Sequence, residues 1–309
     1  MASRLPDLGR IRRALLDWHR REGLRAPWRE TGDPYHALVA AVMAQQTQMS
    51  RVMLCYERFL AAFPTIELLA EATPGEVIRA WKGMGYNQRA VRLHRAAKTI
   101  AGHGWPRTAP ELGRIDGIGP FTAAIVASFA FGERAACVDT NVVRVLTRLS
   151  GEGTLRGARL QRLADAVLPA TEPARWNQAM MDYGARVCTP RPRCEECVVA
   201  HWCASREAFR AAAGADGELR RVAEPRALYT ARPKAPRIPF EETPRYFRGR
   251  IVDALRELPP GERVTPRRLG SLIANGKGTP SPDDVAVWVE ALEAAGLVAV
   301  TKGRIALPD

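Results

Sequence analysis

No apolar run in this 309-residue chain is long enough to span a bilayer, and the N-terminus, MASRLPDLGRIRR, lacks the apolar core of a secretion signal. Both absences exclude a membrane-inserted or exported protein as the first expectation and leave a soluble, cytoplasmic one. Long period-two alternation, the mark of half-buried strands, is missing before residue 290, and no internal repeat is found. Cysteine is scarce outside one short stretch: of six, four fall between residues 188 and 203. Without an export signal, such clustering reads as metal ligation and not as disulfides. Cys55 and Cys137 stand alone in apolar surroundings and are expected to be buried thiols.

What the chain has is helical periodicity. Apolar residues recur at helical spacing over 9–18, 35–49, 51–62, 75–81, 88–102, 120–131, 141–149, 157–168 and 174–187, with breaks that pair a capping residue with proline, such as Asp33-Pro34 and Thr73-Pro74. An all-α fold follows. The length predicts two or three domains. Pro- and Arg-rich residues 206–240 read as a linker. Beyond it, helices over 243–257, 265–274 and 282–295 and a hairpin turning near Lys302-Gly303 resemble a winged helix.

Charge is strongly one-sided. Lys and Arg number 46 against 33 Asp and Glu, a net +13, and residues 1–240 hold all the excess, 36 basic against 23 acidic. Such a balance favours a polyanionic partner, nucleic acid before membrane. Residues 241–309 carry ten of each sign, which argues against a strong backbone grip by the C-terminal module.

The stretch Ile115-Asp116-Gly117-Ile118-Gly119-Pro120-Phe121 places two glycines in a tight turn before a helix whose first residue is proline. The free N–H groups of such a turn can hold a phosphate. Further on, Asp139 or Asn141 can cap the next helix, a common role for either residue. The arrangement resembles the helix-hairpin-helix DNA glycosylases, the endonuclease III and adenine glycosylase (MutY) group, over about residues 10–205. The resemblance implies that Gly117 and Gly119 seat the DNA backbone, with Phe121 and Asn141 also at the DNA. It implies that Asp139 stabilises positive charge on the sugar. Relatives that also cleave the strand carry a lysine where Phe121 stands, so removal of the base without β-lyase activity is expected.

Two further segments carry the resemblance. Pro34 to Met49 is similar to the adenine glycosylase helix ending in Gln45-Gln46-Thr47, whose Gln46 wedges into the duplex while the target base is swung out. Gly83-Met84-Gly85-Tyr86 is similar to a second wedge loop, with Tyr86 stacking on a base. The cysteines, Cys188, Cys194, Cys197 and Cys203, suit a [4Fe–4S] cluster or a zinc ion by spacing alone. The resemblance favours the cluster, in a structural role, although its first gap is one residue shorter than the family's. Arg186, Arg191 and Arg193 would then lie on a loop stapled against DNA.

Two departures stand out. The family's general acid, a glutamate four residues before the first glutamine of the triplet, is Ala41 here, and alanine delivers no proton. The family's Nudix-like C-terminal domain is replaced by the short helical module. The expected layout is a cluster-bearing helical domain (1–34 with 140–205), a six-helix barrel domain with the hairpin (35–139), a linker (206–240) and the winged-helix-like module (241–309). The expected activity is hydrolysis of adenine mispaired with guanine or 8-oxoguanine in double-stranded DNA, by a monomer. Ala41 keeps open a glycosylase of mispaired thymine or uracil, and a catalytically silent mismatch binder; a zinc-dependent regulator is the outsider.

Overall fold

The computed structural model describes residues 5–153, 155–214, 238–276 and 278–309. It is built almost wholly of helices. They are α1 (Leu8–Glu22), α2 (Pro34–Ala44), α3 (Met49–Ala62), α4 (Ile66–Glu71), α5 (Pro74–Ala80), α6 (Gln88–His103), α7 (Ala109–Leu112), α8 (Pro120–Phe131), α9 (Thr140–Ser150), α10 (Gly157–Val167), α11 (Pro173–Arg186), α12 (Arg206–Gly214), α13 (Pro244–Glu257), α14 (Pro266–Leu272) and α15 (Pro282–Ala294). Strands β1 (Ala299–Thr301) and β2 (Arg304–Ala306) pair antiparallel, Val300 opposite Ile305.

Local chemistry sets these boundaries. Thr73 and Thr108 each close a capping box, with Glu76 and Glu111, and proline follows each threonine or lies one residue on. Thr243, Thr265 and Ser281 cap α13, α14 and α15 through the side-chain oxygen alone, accepting from the amides of Tyr246, Arg268 and Asp284, each ahead of a proline. The hairpin turns at Lys302 (φ 49°) and Gly303 (φ 70°), both left-handed, as a two-residue turn between twisted strands requires. Helix α12 runs through the first residues of the stretch read as a linker; the rest of that stretch, 215–237, lies outside the described residues.

The chain separates into two compact units. The first comprises residues 1–38, 107–113 and 119–232, the second residues 39–106, 114–118 and 233–309. In the first, α1, α9, α10 and α11 share a core that includes Ile11, Leu15, Val145, Leu146, Trp176 and Tyr183. Trp18 meets Tyr183 edge-to-face at 4.9 Å between ring centroids. Arg29 makes two hydrogen bonds of 2.7 and 2.8 Å to the Asp182 carboxylate, which also accepts from the Leu24 amide. Burial alone would raise the Asp182 pKa, but Arg29, His19 and the Leu24 N–H together bring it down to about 2.

In the second unit the C-terminal module is continuous with the helices before it. Ile78 of α5 and Val91 of α6 belong to the core formed by Ile251, Val252, Leu255 and Val289. The Gly75 amide donates to the Pro308 carbonyl at 2.8 Å, and a Cβ on Gly75 would stand 2.6 Å from that oxygen. Only glycine lets the two segments approach so closely. Among the described residues no helix is long and apolar enough to cross a membrane.

Candidate functional site

Helix α2 stops at Ala44, short of the expected 49, because the chain turns over at Gln46, whose φ is 54°. A non-glycine residue in the left-handed region marks a position held by its surroundings. Tyr86 shares the property, with φ 44°, at the end of a loop where Gly83 and Gly85 are also left-handed. Tyr86 is 47% exposed. So both glutamine and tyrosine segments end in strained, outward turns.

One side chain holds both turns. Arg89, buried in α6, donates to the carbonyls of Val42 (3.0 Å), Met43 (2.8 Å) and Gln45 (2.6 Å) through one terminal nitrogen. Through the other it reaches the Thr47 hydroxyl (3.0 Å) and the carbonyls of Met84 (3.0 Å) and Gly85 (3.1 Å). Its guanidinium also lies 5.5 Å from the ring centroids of Trp81 and Tyr86. The carbonyls left unpaired where α2 ends are thereby satisfied. Burial lowers the Arg89 pKa from the ordinary arginine value. Nothing in the sequence singled this arginine out among the many basic residues. Ala41 and its neighbours Ala40 and Val42 are buried in the same helix.

Gly117, with φ 89°, approaches α6 closely: a Cβ there would stand 2.7 Å from the Arg92 carbonyl oxygen. Gly119 caps the start of α8 and has open space where a Cβ would be. Pro120 occupies the first turn of α8, followed by half-buried Phe121.

Asp139 caps α9. One carboxylate oxygen accepts from the Val142 amide and the other from the Asn141 side-chain amide, each at 2.8 Å. Burial raises the Asp139 pKa above its ordinary value, against the pull of those two donors and of Arg144. Asn141 in turn accepts from Arg144 at 2.7 Å, and Arg144 also donates to the carbonyls of Gly184 and Cys188, each at 2.6 Å. A Cβ on Gly184 would stand 2.6 Å from Asn141 Cβ, so α11 is glycine where it meets α9. A polar chain therefore runs from the Asp139 carboxylate to the cysteine segment.

The cysteine segment is pinned from within the same unit. Buried Arg148 donates to the Thr189 carbonyl at 2.6 Å and to Cys188 Sγ at 3.4 Å, and its guanidinium lies 4.6 Å from the Phe209 ring centroid. The Tyr183 hydroxyl donates to Cys197 Sγ at 3.1 Å. Burial pushes the Cys203 thiol up to about 11, and Cys197, Cys188 and Cys194 push the same way. Among the described residues no three His, Cys, Asp or Glu side chains stand close enough together to share one metal ion. Arg186 donates to the Glu22 carbonyl and lies over Trp18, and Arg193 pairs with Glu196. Cys55 and Cys137 are buried thiols, as expected.

Residues 39–169 match the HhH-GPD superfamily of base excision DNA repair proteins. The chain is 34% identical over 302 residues to an adenine DNA glycosylase of Mycolicibacterium smegmatis, covering 95% of this chain and 94% of that protein. It is 38% identical over 252 residues to one of Mycobacterium tuberculosis, covering 78% and 77% respectively. The human adenine DNA glycosylase is 38% identical over 216 residues, but there the chain spans only 39% of the relative's length. Among solved structures, a thermostable thymine-DNA glycosylase is 29% identical with a TM-score of 0.62, covering 65% of this chain and 97% of that one. A non-covalent endonuclease III–DNA complex, 22% identical with a TM-score of 0.56, shares the fold. Matched over nearly its whole length by the mycobacterial relative, the chain belongs to the adenine DNA glycosylase family.

Proposed function

We propose that the protein is a monofunctional DNA N-glycosylase of base excision repair, releasing adenine mispaired with guanine or 8-oxoguanine from duplex DNA as a cytoplasmic monomer. The observation that carries this reading is the half-buried Asp139 carboxylate, held at the start of α9 by Val142 and Asn141 downstream of the Gly117–Gly119 turn. Breaking the bond between the sugar and the base leaves positive charge on the sugar, and a desolvated carboxylate beside it stabilises that charge. Water then adds its oxygen to the sugar carbon; one of its protons is lost and the departing base gains one. Phe121 offers no amine for covalent attack on that carbon, so the product is an intact strand with an abasic site. Gln46 and Tyr86, on turns braced by Arg89, wedge the duplex while the base is swung out.

Four thiols on a loop pinned by Arg148 and Tyr183 fit a four-iron cluster. When bound, the cluster supplies a structural cross-link; Cys188, Cys194, Cys197 and Cys203 would hold it. Helices α13 to α15 and the hairpin fit a winged helix.

Buried Ala41 sits where the general acid is expected, and this favours a second reading, removal of a mispaired pyrimidine that leaves without ring protonation. The thymine-DNA glycosylase likeness points the same way. Duplexes with A·G, A·8-oxoguanine, G·T and G·U mismatches, incubated with the purified chain and then treated with alkali, separate the readings. Adenine release with strand breaks only after alkali supports the proposal. Release of pyrimidine alone supports the second reading, and no release of any base from any duplex overturns both.

A further inference from the structure

The C-terminal module is neutral overall, yet its first helix opens with three arginines, Arg245, Arg248 and Arg250, before any acid on that helix. Arg245 is exposed, and its guanidinium lies 4.8 Å from the ring centroid of Tyr86. Tyr86 is the exposed, left-handed residue at the tip of the second wedge loop. Among the described residues Arg245 has no carboxylate partner, although Glu241 and Glu242 precede it in the chain.

Other residues do the docking of this module. Arg256 donates to the Ile78 carbonyl at 2.8 Å and to Asn87 Oδ1 at 2.9 Å, Arg79 reaches the Leu258 carbonyl at 2.7 Å, and Lys82 pairs with Glu257. Arg79, Lys82 and Asn87 flank the wedge loop on either side. Arg245 belongs neither to these bonds nor to the shared core. Among the described residues its ring partner is Tyr86, which is itself exposed. A guanidinium held over an aromatic ring has N–H donors that the ring does not use, and those donors match a phosphate.

We propose that the C-terminal module is part of the DNA-binding surface, with Arg245 as a positioning residue. It packs on the outer face of Tyr86 and pairs with the backbone phosphate beside the wedge. The wedge loop is thus set from two sides, by Arg89 from within and by Arg245 from the module. This rests on the reading of Tyr86 as a wedge. It is compatible with the neutral charge balance of the module, which argues against a strong backbone grip but allows a single phosphate contact.

The test uses the full chain and a mismatched duplex carrying 2-aminopurine beside the target base, whose fluorescence reports unstacking. Arg245→Ala, Arg245→Lys, Tyr86→Ala and Arg250→Ala are compared, the last being five residues further round the same helix. Arg245→Ala is expected to weaken binding about two- to five-fold, to make the slope of log Kd against log salt shallower by about one and to reduce the fluorescence rise. Arg245→Lys is expected to restore the salt slope but not the fluorescence, and Arg250→Ala to change neither. If Tyr86→Ala loses the fluorescence rise while Arg245→Ala keeps both slope and signal, the wedge stands and the role given to the module is overturned. If Tyr86→Ala also leaves the signal intact, the wedge reading falls and this proposal with it.

Discussion

Arg89 and Gln45, 44 residues apart in the sequence, are joined by a 2.6 Å hydrogen bond from a guanidinium nitrogen to a backbone carbonyl. That bond and its companions to Thr47, Met84 and Gly85 make a single buried cation the common anchor of two exposed turns. Truncating it leaves several buried carbonyls without donors, each costing about 1–3 kcal/mol. Arg89→Ala should therefore lower unfolding free energy by about 3–5 kcal/mol in urea denaturation. Arg89→Lys should recover only part of it, since an ammonium cannot reach both turns with one planar fork. Mismatch binding by the folded fraction of Arg89→Lys should also weaken, because Gln46 and Tyr86 lose their common support.

Asp139 caps α9, and substitution can separate that cap from the charge-stabilising role proposed for its carboxylate. An asparagine keeps the side-chain oxygen that accepts from Val142 but carries no charge. Asp139→Asn should melt close to the unaltered chain and yet release base about 10²–10³ times more slowly in single-turnover assays. Asp139→Ala should add to that a loss of about 1 kcal/mol from the missing cap. The pH dependence carries a sign. The working form is the ionised carboxylate, and burial raises its pKa, so base release should switch on at higher pH than an ordinary aspartate would allow. A rate–pH profile flat down to pH 4 would sink this assignment.

Much of the helical frame was legible in the sequence, and the reasons are local. The prolines following Thr73, Thr243, Thr265 and Ser281 announce helix starts, and Lys302-Gly303 announces the hairpin. Helices α4 and α7 escaped because they are too short to display a period. The early end of α2 escaped because Gln45 to Met49 continue an acceptable helical sequence, and only the tertiary pull of Arg89 turns the chain over at Gln46. Arg89 and Arg148 escaped for a shared reason. In a chain with 46 basic residues a buried clamp looks the same as a surface charge until its partners are known. The spacing of the four cysteines announced a metal site without choosing between zinc and an iron–sulfur cluster.

The cluster reading predicts composition. Purified protein should contain about four iron and four sulfide per chain and absorb broadly in the visible. Cys197→Ser should lose that absorbance, whereas Arg148→Ala should retain the ligands but lose iron faster to a chelator, since the Thr189 and Pro190 carbonyls are no longer held. Zinc at one equivalent with no iron would contradict the cluster.

Asp182 sets the acid stability of the first unit. Its folded pKa is about 2, below the usual unfolded value of about 3.9, so its ion pair with Arg29 stabilises the fold above pH 4. That contribution, about 2–3 kcal/mol, should fade as pH falls from 4 towards 2. Asp182→Asn should lower the melting temperature at pH 7, and the gap between variant and parent should narrow below pH 4. A gap independent of pH would show that the carboxylate charge is not what stabilises this core.

The most informative substitution restores a carboxyl to α2. Ala41 is 4% exposed, so a glutamate there would be desolvated and its pKa would rise. A raised pKa suits a proton donor at neutral pH, which is what a departing purine needs. Ala41→Glu should therefore increase adenine release by about 10²–10⁴. It should leave release of a mispaired pyrimidine nearly unchanged, because that base departs without ring protonation. The added volume will cost stability, by about 1–3 kcal/mol in a packed helix, so single-turnover rates should be compared at equal folded concentration. A gain confined to adenine would place the carboxyl beside the purine. An Ala41→Glu chain that folds, binds A·8-oxoguanine duplexes and still releases nothing would mean that this helix does not face the base at all.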